Sequence, residues 1–207
     1  MTSSPVTEHR WTVDVAGRPV ELPIVAIKPD FAISLMMVID LGVDFLAHVG
    51  RELAARLEPL RPEVIVGAAT LGIPVAIEVT RALGLDRYVV LQKSPKIHLG
   101  DALVEPITSI TSKGEQRLLL DRRAIPLLRG RRTVVVDDVV ASGSSLKGSI
   151  ALARAAGAEV VGAGVVLTEA QEWRPVLGED AALVTGLGHI PQFAPDGKGG
   201  WIPIAGT

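Results

Sequence analysis

Two adjacent carboxylates, Asp137 and Asp138, follow the apolar run Val134, Val135, Val136 and are followed by the small-residue stretch Ala141, Ser142, Gly143, Ser144, Ser145. A loop of small residues between a strand and a helix exposes backbone N–H groups and the positive end of the helix dipole, which together attract an anion. Gly143 can take a positive φ, and a side chain there would fill the room that a phosphate needs. The hydroxyls of Ser142, Ser144 and Ser145 add donors. Asp137 and Asp138, just upstream, suit hydroxyl groups or a metal ion. A phosphate at one end and hydroxyl-seeking acids at the other describe a ribose 5-phosphate. Two acids and a Ser-rich turn could also simply cap a helix. The ordered series of apolar strand, paired acids, small loop and helix start favours the ligand reading.

Such a loop needs a buried strand before it and a helix after it. The run opening at Val134 is apolar enough for a strand covered on both faces, and 144–156 reads as a helix closed by Gly157. The same alternation surrounds it. Residues 64–67 read as a short buried strand, 73–83 as a helix stopped at Gly84, and 87–92 as the next strand, forming a βαβ unit. Residues 12–27 look like a hairpin turning at Ala16, Gly17 and Arg18, and the spacing of Val43, Leu46, Val49, Leu53 and Leu57 predicts a long amphipathic helix. Residues 159–167 form another continuous apolar strand. The segment 93–114 is polar and broken by Pro and Gly, with strand-like pieces at 104–111 and 116–120, so it reads as a long excursion carrying a hairpin. The expected fold is a doubly wound α/β parallel sheet in one domain. The Gly- and Pro-rich tail after Gly186 reads as a small irregular appendage.

Composition narrows the function classes. The chain has 207 residues, is 48% apolar, carries a formal charge of −2 and has no cysteine. It can bury roughly 70% of its unfolded surface without a disulfide or thiolate metal site. No apolar run approaches the ~20 residues of a membrane span, and the N-terminus lacks the apolar core of a signal peptide, so a cytoplasmic protein is expected. Three Phe, three Trp and one Tyr on a near-neutral chain give neither the basic face nor the stacking surface of a nucleic-acid binder. The densest basic stretch, "LDRRAIPLLRGRR", reads as a solvated helix and turn.

The segment "VVVDDVVASGSS" resembles the phosphoribosyl-pyrophosphate (PRPP) binding motif of type I phosphoribosyltransferases. Similarity extends over 64–167 in the order found in adenine and xanthine phosphoribosyltransferases: the turn "VGAATLGIP", a strand ending at Lys93, a mobile hairpin, then the motif. The resemblance implies that Asp137 and Asp138 hold the ribose hydroxyls and act with Lys93 in catalysis. Ala141, Ser142, Gly143, Ser144 and Ser145 would cradle the 5-phosphate. Ala68, Ala69, Thr70 and Leu71, with Lys96 from "LQKSPK", would meet the pyrophosphate. Magnesium would travel with PRPP and reach Asp137 and Asp138 through water rather than through a dedicated protein site. The family architecture implies a core at 41–185 and a hood over the base built from 10–40 and 186–207. It further implies a lid within 93–114, PRPP and a purine base as partners, and a homodimer.

Departures from the adenine pattern concern the base. The pyrophosphate turn is "GAATLG" where adenine enzymes carry an acid and an arginine, and the hairpin "SITSKGEQRLLL" lacks their Glu-Tyr pair. In 6-oxopurine enzymes a lysine often follows the strand after the motif helix, whereas "VVLTEAQ" places Glu169 there. An ionised carboxylate only accepts hydrogen bonds, so Glu169 at the edge of the base pocket suits an exocyclic amine better than a carbonyl. Adenine is therefore the favoured base. The alternatives are a phosphoribosyltransferase for xanthine or another 6-oxopurine, and a non-catalytic PRPP or nucleotide sensor.

Overall fold

The computed structural model describes residues 9–94, 102–107 and 116–207. In chain order the elements are β1 (Arg10–Val15), β2 (Arg18–Lys28), β3 (Phe31–Ser34), α1 (Val43–Leu57), β4 (Val64–Ala68), α2 (Gly72–Ala82), β5 (Tyr88–Leu91), β6 (Leu103–Ile107) and β7 (Gln116–Leu120). There follow α3 (Ile125–Leu128), β8 (Arg132–Val140), α4 (Ser144–Ala155), β9 (Glu159–Glu169), α5 (Trp173–Leu177), β10 (Val184–Ile190), β11 (Gln192–Pro195) and β12 (Trp201–Pro203).

Five strands form the central sheet in the order β10-β9-β8-β4-β5, every pairing parallel. All five residues of β4 are buried, as are Thr133 to Asp137 of β8, because helices cover both faces of the sheet. On one face α1 and α2 pack through Leu53, Leu57, Val75 and Val79 against Val134, Val136 and Val166. On the other, α4 packs through Leu146, Ile150 and Ala153 against Val66, Val135 and Val165. The doubly wound α/β arrangement expected from the sequence is present, and β8, with the acid pair, lies at its centre. No helix among the described residues is long and apolar enough to cross a membrane.

A second, antiparallel sheet, β1-β2-β3-β11-β12, joins the two ends of the chain and forms the hood. Trp11 and Phe193 meet edge to face with ring centroids 5.4 Å apart, and Phe193 is fully buried. The tail differs from the irregular appendage read from the sequence. Its first part is β10, a strand of the core sheet in register with β9 from Val184↔Ala163 to Ile190↔Glu169, and its remainder supplies β11 and β12. Gly186, Gly188 and His189 interrupt the apolar pattern that would have announced a core strand. Gly188 is needed there because a Cβ would run into the backbone carbonyl of Asp14, where β1 crosses the end of the sheet. The hood is fastened at the same place, the Ala16 N–H donating to Leu187 O at 3.2 Å.

β6 and β7 form a separate antiparallel hairpin, with Leu103 opposite Leu120 and Ile107 opposite Gln116. The hairpin lies on α4 and is tied to the end of β5 by paired backbone bonds between Gln92 and Leu119. The continuation of the expected strand to 111, and the parts of the expected lid at 95–101 and 108–114, lie outside the described residues. In the basic stretch, Arg131 pairs with Glu63 at 2.6 Å and Arg132 with Glu159 at 2.7 Å. Those cations serve strand ends, in keeping with a structural turn.

Candidate functional site

β8 carries Asp137 and Asp138 to the carboxyl edge of the sheet, the edge at which parallel α/β sheets bind ligands. Asp137 is 8% exposed, Asp138 is partly buried, and the Asp138 N–H donates to Asp137 Oδ1 at 3.0 Å. Burial pushes the Asp137 carboxyl well above its ordinary range, and the neighbouring charge of Asp138 adds to the rise. Burial also raises Asp138, opposed by hydrogen bonds from Asp137 and from backbone N–H groups. The pair is thus an acceptor-rich, desolvated spot that gains from a cation or from hydroxyl donors.

Lys93, which follows β5 and is exposed, is close enough for its charge to lower both carboxyls. The structure brings it to the acid pair. Lys96 lies outside the described residues. The turn between β4 and α2 also adjoins the acids: a Cβ on Gly72 would lie 2.9 Å from Asp137 Oδ1. Within this turn Ala68 is buried, Ala69 and Leu71 are partly buried and Thr70 is exposed. The Ala69–Thr70 peptide is cis, and the Ala69 N–H donates to Leu91 O at 2.8 Å.

After Val140 the chain turns through Ala141, Ser142 and Gly143 into α4. Gly143 is the N-cap, with φ +81° and ψ −13°, and no side chain caps the helix at that position. Ser142 Oγ accepts from the Ser144 N–H at a long 3.4 Å. Ala141, Ser142, Ser144 and Ser145 are partly buried, whereas Gly143 is buried. The 12-residue helix therefore presents its amino end and dipole to the loop.

The positive φ read for Gly143 in the sequence is present, and packing adds a second need for glycine there. A Cβ there would sit 3.0 Å from Trp173 Cα and O and 3.1 Å from Trp173 Cβ, so α5 backs the loop and occupies the space on that side. Trp173 is 2% exposed, donates through Nε1 to Ala170 O at 3.2 Å and carries the Arg174 guanidinium 4.4 Å from its ring centroid. A groove of about 530 Å³ flanks the loop on the hairpin side, bounded by Glu105, Ser142, Ser144, Lys147 and Glu172.

Glu169 ends β9 one residue beyond the pairing of Thr168 with Val140, so it lies beside the strand that delivers the acids. It is 6% exposed and accepts from Gln192 Nε2 of β11 at 3.4 Å. Burial pushes its carboxyl up, the Gln192 bond pulls it down and the charge of Glu172 pushes it up again. Sequence reasoning missed Trp173 and Gln192. Neither belongs to a local motif, and both act across the interval between separate elements.

The family model described as a phosphoribosyl transferase domain matches residues 44–186. A xanthine phosphoribosyltransferase from Exiguobacterium sp. is 34% identical over 151 residues, covering 72% of this chain and 76% of its own length. One from Chloroflexus aurantiacus is 32% identical over 159 residues, covering 76% and 74%. Among solved structures, the adenine phosphoribosyltransferase of Giardia lamblia complexed with 9-deazaadenine superposes with a TM-score of 0.66 at 22% identity, over 79% of this chain and 92% of that one.

Proposed function

The chain belongs to the phosphoribosyl transferase domain family, and from that premise we propose that it transfers the 5-phosphoribosyl group of PRPP to a ring nitrogen of a purine, releasing pyrophosphate. The observation that carries this reading is the convergence at one sheet edge of the Asp137–Asp138 pair, Lys93, the turn of Ala68 to Leu71 and the amino end of α4.

Each group has a part to play. The loop from Ala141 to Ser145 holds the 5-phosphate with backbone N–H groups and hydroxyls. Asp137 and Asp138 accept from the ribose hydroxyls and fix the sugar. Thr70 and the backbone of the turn, with Lys93, hold the pyrophosphate as negative charge gathers on it, while positive charge develops at the anomeric carbon. Magnesium bound with PRPP would supply charge neutralisation at the leaving pyrophosphate, and Asp137 and Asp138 are the residues that would hold it through water. The residues fit that arrangement. The acids offer hard oxygen donors in a desolvated place, which suits a cation that takes its other ligands from substrate and water. By family likeness the working unit is a cytoplasmic homodimer.

Adenine leads as the base, on the carboxylate at 169. The xanthine phosphoribosyltransferases at 32% and 34% identity make xanthine the second candidate. Incubation of the protein with PRPP, Mg²⁺ and adenine, hypoxanthine, guanine or xanthine should release pyrophosphate with at least one base. If PRPP binds while none is turned over, the chain is a PRPP sensor and the enzymatic reading falls.

A further inference from the structure

Gln192 stands where the hood meets the carboxyl edge of the core sheet, and every hydrogen bond it makes restricts it. Its backbone N–H donates to Thr207 Oγ1 at 3.0 Å, its carbonyl accepts from the Ile204 N–H at 2.8 Å, and its Nε2 donates to Glu169 Oε1 at 3.4 Å. β11 lies against β3, with Gln192 opposite Ile33, so the backbone beneath the amide is held by strands as well. The amide itself can be turned over about its last bond at little steric cost, since oxygen and NH₂ are nearly the same size. What decides its orientation is its neighbour. An ionised carboxylate has only acceptors, so the nitrogen of Gln192 must face Glu169, and Oε1 points the other way.

This orientation has a consequence for any purine beside it. An amide edge offers one acceptor and one donor, and a purine offers the matching pair with opposite polarity according to whether position 6 carries an amine or a carbonyl. A freely turning amide serves both classes. A pinned one serves the class whose donor meets its oxygen. We infer that Gln192 determines specificity for the base, and that Glu169 is a positioning residue acting through it by holding the amide with its oxygen toward a 6-amino purine. The inference rests on the reading of the chain as a purine phosphoribosyltransferase. It also moves the direct contact with the base from Glu169, whose carboxylate is buried against the hood, to the amide beyond it.

The test is a double-mutant cycle read as a ratio. Pyrophosphate release with PRPP and Mg²⁺ is measured for adenine and for xanthine in the parent, Glu169→Lys, Gln192→Leu and the double variant, and the two kcat/KM values are divided. The ratio from one preparation is independent of the fraction of protein that is folded, so partial unfolding cancels. The parent should favour adenine. A lysine at 169 donates, draws Oε1 toward itself and should move the ratio toward xanthine by about tenfold or more, the usual consequence of an unpaired buried partner. Gln192→Leu should bring the ratio toward one, and Glu169→Lys should add nothing in that background. Glu169→Gln, which can pair with either end of the amide, should relax the ratio without reversing it. A shift on Glu169→Lys that persists in full beside Leu at 192 would show that residue 169 reads the base itself, and a ratio unmoved by Gln192→Leu would remove Gln192 from the site. Either result overturns the inference while the parent's turnover still supports the family reaction. Absence of turnover of every purine by the parent would overturn the functional reading and this one with it.

Discussion

Replacing Gly143 with alanine tests how the phosphate loop is held. The perturbation has two parts. Gly143 has φ +81°, and an L side chain in the left-handed region costs roughly 1–2 kcal/mol. The new Cβ would also lie 3.0 Å from Trp173 Cα and O, and crowding of this kind in a packed region costs about 1–3 kcal/mol. The sum is about 2–5 kcal/mol, which for a chain of this size lowers Tm by roughly 4–20 °C. Gly130→Ala supplies the control, because Gly130 has φ +69° and a Cβ there meets nothing within 4 Å. Its loss should be confined to the backbone part, about 1–2 kcal/mol. The assay pairs thermal unfolding with calorimetric titration of Mg²⁺ and PRPP. Relief of the contact with Trp173 pushes the loop toward the ligand, so PRPP affinity in Gly143→Ala should fall at least tenfold while Gly130→Ala binds as the parent does. Lost affinity with Tm equal to that of the parent would mean that the methyl group occupies the phosphate's own space, and the argument from Trp173 would fail. Equal losses of Tm in the two variants would refute it as well.

The double variant Asp137→Asn, Asp138→Asn should lose turnover without losing Tm, since it removes two desolvated carboxyls and keeps their shape; a fall of many degrees would make the pair structural. The sign of the pH dependence follows from the raised folded pKa values. The pair's contribution to the parent's ligand-free stability is greatest below the ordinary aspartate value of 3.8 and declines as pH rises from there through the raised values, because the unfolded chain gives up these protons first. The Asn variant should show a shallower decline, and binding of Mg²⁺ and PRPP to the parent should release protons, seen as a buffer-dependent heat in calorimetry; proton uptake would contradict the assignment. Gly148→Ala places a Cβ 2.6 Å from Ile107 Cγ2 and 3.2 Å from Leu118 Cδ1, so it should loosen the β6–β7 hairpin from α4. Amide exchange at 103–107 and 118–120 should quicken while that of β8 and β9 holds; unchanged exchange in the hairpin would show that α4 yields instead.

The stretch from Val134 to Ser145 could be read without a structure because its information is consecutive. A buried strand, two acids, small residues and a helix start are all neighbours in the chain, and each is marked by residue type. The βαβ unit from β4 to β5 was legible for the same reason, its apolar periods being uninterrupted and its stop at Gly84 local. The tail had no such marks. β10 is a core strand only because β9 is there to pair with it and β1 crosses it at Gly188, so its glycines look like loop residues until both neighbours are in place. The requirement for glycine at 143 could be anticipated from the turn, but the crowding that adds to it comes from the backbone and Cβ of Trp173 in α5. Glu169 stood out by position, yet its partner Gln192 is 23 residues away and reaches it only when the hood folds over the sheet edge. Residue type and local period determine which elements form and which chemistry a loop can offer. Which side chains share that chemistry is decided by packing between elements, where distance along the chain carries no information about distance in space.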